Sequence, residues 1–123
     1  MAVFRGVRLM EGPEDASRGP SRVSVEVDVR PEAVTIVIRG ELDLVTLPVL
    51  AGQLAPVCRD KPERLVFDLA GTSFMDCGSA RLIAGSGSWL RGSRRPVLRH
   101  PGPGVRRILE LTGLDANFYI EEA

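Results

Sequence analysis

The stretch LVFDLAGTSFMDCGSARLI, Leu65 to Ile83, constrains the fold more than any other part of this chain. Leu65, Val66, Phe67 and Leu69 form a short apolar run broken only by Asp68, the pattern of a strand covered on both faces, which points to a parallel or mixed sheet. Gly71, Thr72 and Ser73 then read as a turn. Asp76 stands where a helix N-cap belongs, its carboxylate able to accept N–H bonds from Gly78 or Ser79 and to complement the positive end of the helix dipole. Cys77, Gly78 and Ser79 are therefore placed at an accessible helix start, where a binding site is expected.

Around this segment the elements follow from periodicity. Val23, Val25, Val27 and Val29 alternate with Ser24, Glu26, Asp28 and Arg30, the period of two of a strand with one wet face. Pro31 and Glu32 turn the chain into the β-branched run Val34 to Ile38, which ends at Arg39-Gly40 and completes an antiparallel hairpin. Leu47, Leu50, Ala51 and Leu54 recur at helical spacing, with Pro48 in the first turn and an end near Cys58. A second helix is predicted from about Gly78 to Leu90, with Leu82, Ile83, Trp89 and Leu90 as its apolar stripe. Gly85 and Gly87 each weaken it by ~1 kcal/mol, marking a close-packing face or a kink. A short strand around Val97 to Arg99 leads through Pro101-Gly102-Pro103-Gly104 to a third helix carrying Val105, Ile108, Leu109 and Thr112, with Gly113 as C-cap. Phe118, Tyr119 and Ile120 make a last strand.

This order predicts one α/β domain, a mixed β-sheet packed by α-helices. Met1 to Pro20, rich in Gly, Pro and charge without sustained periodicity, reads as a mobile tail to which Val3, Phe4, Val7 and Leu9 could add a short strand. The boundaries are thus 1–22 for the tail and 23–123 for the domain.

Several function classes fall away on composition. At 123 residues and 44% apolar the chain supports a single core. No apolar run approaches the ~18 residues of a membrane helix, and the N-terminus lacks a signal-peptide core, so a cytoplasmic protein without membrane contact is expected. Cys58 and Cys77, the two cysteines, are too few for a disulfide scaffold and with His100 make no zinc cluster; no metal or cofactor is expected. Sixteen basic and sixteen acidic residues balance, which argues against bulk attraction to nucleic acid. The charge is nonetheless uneven: between Cys77 and Leu109 there is no acid, while Arg81, Arg91, Arg94, Arg95, Arg99, Arg106 and Arg107 fall there. Without aromatic interleaving or a groove-reading motif this reads as solvated surface. Enzymatic readings fail on missing groups. Val66-Phe67-Asp68-Leu69-Ala70-Gly71-Thr72 approximates a phosphatase motif of the haloacid-dehalogenase type, but Ala70 replaces its general-acid aspartate. No Gly-x-Ser-x-Gly elbow accompanies His100.

Asp68, the tetrad Asp76-Cys77-Gly78-Ser79, the turn Gly40-Glu41-Leu42-Asp43-Leu44-Val45-Thr46-Leu47-Pro48 and the helix end Leu109-Glu110-Leu111-Thr112-Gly113-Leu114 together resemble the motifs of STAS-domain anti-sigma-factor antagonists, in the expected order from about Val23 to Ile120. The resemblance implies a STAS fold with its helices on one side of the sheet. It also implies a bacterial regulator of transcription that binds a serine-kinase anti-sigma factor and so releases a sigma factor, acting as a monomer or weak dimer. The implied docking surface gathers Glu41, Asp43, Thr46, Thr72, Ser73, Asp76, Cys77, Gly78, Ser79 and Leu82. One departure matters. The family's phosphoacceptor hydroxyl lies two places after the capping Asp, where this chain has Gly78; Ser79 is one step further, turned by ~100° about the helix axis. A permanently active antagonist, a switch at Ser79, Thr72 or Ser73, or a STAS scaffold or sensor are the readings this leaves, with a nucleotide-binding module at the helix start as a further alternative. Cys77 at a helix start adds the possibility of a redox switch, with Cys58 as partner.

Overall fold

Val23, Val25 and Val27 are buried and the intervening Ser24, Glu26 and Asp28 are half-exposed, so the alternation read in the sequence is the pleat of a strand lying on a core. The structure, a computed structural model, describes residues 7–11, 23–92 and 94–122. Its elements are β1 (Val7–Glu11), β2 (Val23–Val29), β3 (Val34–Leu42), α1 (Leu47–Arg59), β4 (Leu65–Met75), α2 (Cys77–Gly85), β5 (Val97–Arg99), α3 (Pro103–Thr112) and β6 (Tyr119–Glu121). The six strands form one sheet in chain order. Pairing is antiparallel from β1 to β3 and parallel from β3 to β6. The possible extra strand is β1, which pairs Val7 with Asp28 and Leu9 with Glu26; Val3, Phe4 and the rest of the expected tail lie outside the described residues.

Each parallel step, β3-α1-β4, β4-α2-β5 and β5-α3-β6, moves one strand in the same direction. Right-handed crossovers then put all three helices on one face. Val25, Ile36, Ile38, Phe67 and Leu69 from the sheet meet Leu50 and Leu54 of α1, Ile83 of α2 and Leu109 of α3 in a continuous core.

The expectation that β4 is covered on both faces is therefore corrected. Asp68 is half-exposed and Ala70 exposed, and Val66, 2% exposed, lies outside the core cluster. Val66 sits in a lateral row on the open face, between Thr35 and Val97, with Tyr119 beyond. Among the described residues its cross-strand neighbours are Thr35 and Val97, and the crossovers place no described helix on that face. Around this row the open face carries ion pairs, Arg39–Glu26 at 2.6 Å and Arg99–Glu121 at 3.1 Å. Such exposed pairs contribute little stability, but they keep that face wet.

Two further boundaries differ from expectation for local reasons. Gly71, Thr72 and Ser73 do not turn the chain; they belong to β4, which accommodates extra residues through register shifts opposite Val37/Arg39 and Gly40/Glu41. β-Bulges of this kind free backbone groups, and here Thr72 Oγ1 donates to the Ile38 carbonyl at 2.8 Å and Ser73 Oγ to the Gly40 carbonyl at 3.2 Å. The second helix is likewise shorter than expected: α2 stops at Gly85 and a 3₁₀ turn covers Ser86–Trp89. Ser86 Oγ and Ser88 Oγ donate back to the carbonyls of Ile83 and Gly85, tightening the chain there. Gly113, as expected, caps α3 in the left-handed conformation, φ 74°.

The Gly85 and Gly87 alternatives resolve differently. A Cβ on Gly87 would lie 2.8 Å from the Arg94 carbonyl oxygen and 2.9 Å from Pro96 Cδ, whereas one on Gly85 meets nothing within 4 Å. Gly87 is thus the close-packing glycine that lets the chain pass beneath the 94–96 segment. Gly87→Ala is expected to lower unfolding free energy by about 1–3 kcal/mol through overpacking. Gly85→Ala, with helical backbone and open space, is expected to raise it by about 0.5–1 kcal/mol. Urea unfolding of the two variants checks the opposite signs.

Candidate functional site

At the C-terminal ends of β3 and β4, one residue joins three elements. The Asp76 N–H donates to the Leu42 carbonyl at 3.0 Å, tying the end of β4 to the end of β3. Its backbone is extended, φ −91° and ψ 174°, and its Oδ1 accepts from the Ser79 N–H at 2.8 Å. This is the N-cap that the sequence called for; an N-cap of this type stabilises by ~1 kcal/mol.

The β3–α1 turn beside it is organised by its own polar groups. Asp43 Oδ1 accepts from the N–H groups of Val45 and Thr46, both at 3.0 Å, an Asx arrangement that fixes a tight turn. Thr46 Oγ1 donates to the Glu41 carbonyl at 2.7 Å and accepts from the Asp43 N–H at 3.0 Å. With its polar groups thus turned inward, the turn holds Leu44 and Val45 outward, 81% and 46% exposed. Phe74, paired in register with Glu41, is 48% exposed at the same end of the sheet. Leu44 and Val45 lie in the Gly40 to Thr46 turn that the sequence singles out, though neither is named there as a candidate residue, and sequence reasoning missed Phe74. The signal was available, since each is a large apolar residue inside a polar turn or bulge, where neither helical nor strand periodicity requires one.

The residues expected at the site divide by what they do. Thr46 and Thr72 are buried and hold backbone carbonyls, and Asp43 organises the turn, so all three shape the surface from beneath. Glu41 and Asp76 are half-buried, while Ser73, Cys77 and Gly78 are exposed. Leu82 packs against the core. Trp89 lies in the 3₁₀ turn beyond α2, at the far end of that helix from Asp76.

The helix start is decisive for phosphorylation. A Cβ on Gly78 would touch only Asp76 Oδ1 at 3.8 Å, so the position is open to solvent yet carries no hydroxyl. Ser79 is 0% exposed and its Oγ has no hydrogen-bond partner among the described residues. The expectation of Ser79 as substitute phosphoacceptor thus meets a physical obstacle: a transferred phosphoryl group would have to enter the core.

The two cysteines do not form a pair. Cys77 is exposed in the first turn of α2, and Cys58 is buried in the last turn of α1. Because α1 returns the chain from the end of β3 to the start of β4, these turns lie at opposite ends of a strand of 11 residues, ~30 Å long. Burial pushes the Cys58 thiol up from 9.0 to about 11, which removes the thiolate on which redox exchange depends. Among the described residues no three His, Cys, Asp or Glu side chains come together as metal ligands, and no helix is long and apolar enough to cross a membrane.

Comparison with known proteins agrees with this architecture. A family model for the STAS domain matches residues 24–123. The anti-sigma-F factor antagonist RsfB of Mycobacterium tuberculosis is 28% identical over 99 residues, 80% of this chain and 81% of that one. The crystal structure of an anti-sigma factor antagonist from Mycobacterium paratuberculosis aligns with a TM-score of 0.74 and 28% identity, over 82% of this chain and 86% of that one. The unphosphorylated anti-sigma factor antagonist SpoIIAA shares the fold, with a TM-score of 0.66 and 23% identity over 78% of this chain and 86% of that one.

Two outcomes test the interior of this site and its flank. Ser79→Ala removes a buried hydroxyl that makes no bond, so stability is expected to rise by about 1 kcal/mol; a loss of stability on urea unfolding would reveal a partner for that oxygen. For Cys58, both states keep the thiol proton below pH 9.0, whereas between pH 9.0 and about 11 the unfolded chain releases it and the folded chain does not. Stability therefore falls as pH rises through that window, by on the order of 2–3 kcal/mol. Cys58→Ala is expected to abolish this part of the slope when the two proteins are unfolded in parallel.

Proposed function

From the fact that this chain belongs to the STAS domain family, we propose that it is a bacterial, cytoplasmic anti-sigma-factor antagonist, a binding protein rather than an enzyme. Its partner is an anti-sigma factor of the serine-kinase type, and docking of the two frees the sigma factor. The observation that carries this reading is the exposed apolar trio Leu44, Val45 and Phe74, set at one end of the sheet beside the capped start of α2. Apolar and aromatic anchors of this kind, surrounded by polar groups, supply most of the energy of protein interfaces. Glu41 and Asp76 form the polar part of the surface, and Cys77 and Gly78 present a helix start without bulk.

The helix start sets how such an antagonist is controlled. A phosphoryl group adds a charge of about −1.5 to −2 and would repel the acidic groups of this surface. Gly78 cannot accept one, and Ser79 is enclosed. Both facts favour an antagonist that its kinase partner cannot switch off at this position. In this reading the chain remains competent for docking while ATP is present, and release depends on the partner's own state.

The test pairs the purified chain with each serine-kinase anti-sigma factor of the same genome, with and without ATP, reading complex formation and intact mass on the same samples. Leu44→Asp and Phe74→Asp are each expected to weaken the complex by roughly 30-fold or more, the equivalent of a hot-spot contact of ~2 kcal/mol. Wild-type protein is expected to gain no phosphoryl group and to stay bound in ATP. Gly78→Ser, for which the backbone leaves room, is expected to gain one and to dissociate. Complexes untouched by both Asp substitutions would remove the proposed surface; a phosphoryl group on wild-type Ser79 would remove the proposed mode of control. Failure to bind any such kinase would favour a scaffold role.

A further inference from the structure

A cleft of about 690 Å³ opens at the other end of the sheet, where β4, β5 and β6 begin. Its apolar lining is Leu65, Val97 and the ring of Tyr119, the first residues of those three strands. The volume is within the ~300–1,000 Å³ of small-molecule sites. Arg64, Arg94 and Arg95 line it against Glu63 and Glu121. Glu121 is already engaged, by Arg99 at 3.1 Å and Arg64 at 4.0 Å. Arg94 and Arg95 have no carboxylate partner among the described residues. The Arg95 guanidinium instead lies over the Tyr119 ring, 5.4 Å from its centroid, a cation–π contact that holds the cation in place.

We propose that this cleft binds a small phosphate monoester, its phosphate held by Arg94 and Arg95 and its apolar part lying along Tyr119. Two observations select that chemistry. Guanidinium groups offer planar forks of donors matched to phosphate oxygens, Arg94 and Arg95 both line the cleft, and once Glu121 is counted with Arg99 the lining keeps a positive excess. The neighbouring surface is an aromatic ring 58% exposed on an edge strand, which a purely inorganic ion would leave in water. Glu63 opposes the most highly charged ligands and can accept from a donor group on the ester. The site is independent of the docking surface, since the length of β4, ~30 Å, separates the two.

Phenyl phosphate and inorganic phosphate are the probes, titrated into the full chain at about 0.15 M salt, where non-specific attraction is screened. Backbone amide shifts are followed for Gly92, Val97 and Tyr119 in the cleft and for Cys77 to Ala80 at the helix start. Saturable shifts confined to the cleft are expected, with phenyl phosphate binding more tightly than inorganic phosphate. In the Arg94→Ala/Arg95→Ala double variant both affinities are expected to fall at least about tenfold. Tyr119→Ala is expected to abolish only the preference for the phenyl ester. These side chains lie at the surface, and an otherwise unchanged amide spectrum confirms that each variant is folded. Shifts that do not saturate by ~10 mM, that fall at the helix start, or that survive the double substitution would overturn the proposal.

Discussion

The fold turns on the junction at Asp76. One backbone bond to Leu42 closes the end of the β3–β4 pair, and one side-chain bond to Ser79 starts the next helix. Without the first, β4 would be free to fray beyond its bulges, where register is weakest. Without the second, a helix of only 9 residues would begin with uncapped N–H groups, and helices that short have little intrinsic stability. The two bonds together set where the β3–α1 turn stands relative to the start of α2, and hence the shape of the whole end of the molecule. That end is rigid because its polar groups are spent internally: Asp43 on the turn, Thr46 on Glu41, Thr72 on Ile38. What faces outward there includes the apolar Leu44, Val45 and Phe74 beside the half-buried Glu41 and Asp76. Preorganisation of this kind lowers the ordering cost of association.

Much of this was legible in the sequence because the signals were periodic or conformationally specific. The valine alternation of β2, Pro48 at the start of α1, Asp76 as a cap and Gly113 as a left-handed terminus each express a local rule that tertiary packing had no reason to override. The misreadings share a different cause, the satisfaction of local polarity by distant partners. Gly71-Thr72-Ser73 has turn composition, yet its hydroxyls bond carbonyls on β3, a strand more than thirty residues away, and so it remains in the sheet. Ser86 and Ser88 continue a helical pattern in sequence, while Gly87 must pass under Arg94 and Pro96, and the helix narrows to accommodate that crossing. Val66 looked like one side of a doubly covered strand, because lateral packing within a sheet row and packing beneath a helix produce the same apolar letter. Leu44, Val45 and Phe74 were not named as candidate residues for the converse reason: they are apolar but serve no core, and single-sequence periodicity assigns apolar residues to cores.

The register at positions 78 and 79 shows how small a sequence change can alter what a surface is able to do. Successive residues on a helix face directions ~100° apart. Here that separates open solvent at Gly78 from complete burial at Ser79. A serine is present in the motif in both readings, and composition cannot distinguish them. Burial encloses the small Ser79 side chain at the cost of an unpaired hydroxyl among the described residues. The helix start therefore presents an exposed glycine at position 78 and encloses its serine hydroxyl at position 79.

The sheet has two chemically different ends for a topological reason. Every parallel connection returns through a helix, so the β3–α1 and β4–α2 junctions gather at one end, and the α1–β4 and α2–β5 returns gather at the other. The first end inherits the Asp and Thr caps that start helices, and with them acidic and hydroxyl groups. The second inherits the residues that follow helices, among them Arg64 after α1 and Arg91, Arg94 and Arg95 after α2, the last three in the stretch from Cys77 to Leu109 where acids are absent. Part of the charge that looked merely uneven along the chain is thus gathered at one end by the winding of the fold, since Arg91, Arg94 and Arg95 follow α2, while Arg99 ends β5 and Arg106 lies near the start of α3. An acidic and apolar end suited to a protein partner and a cationic, aromatic end suited to a small anion follow from the same connectivity, and neither needs to move for the other to be occupied.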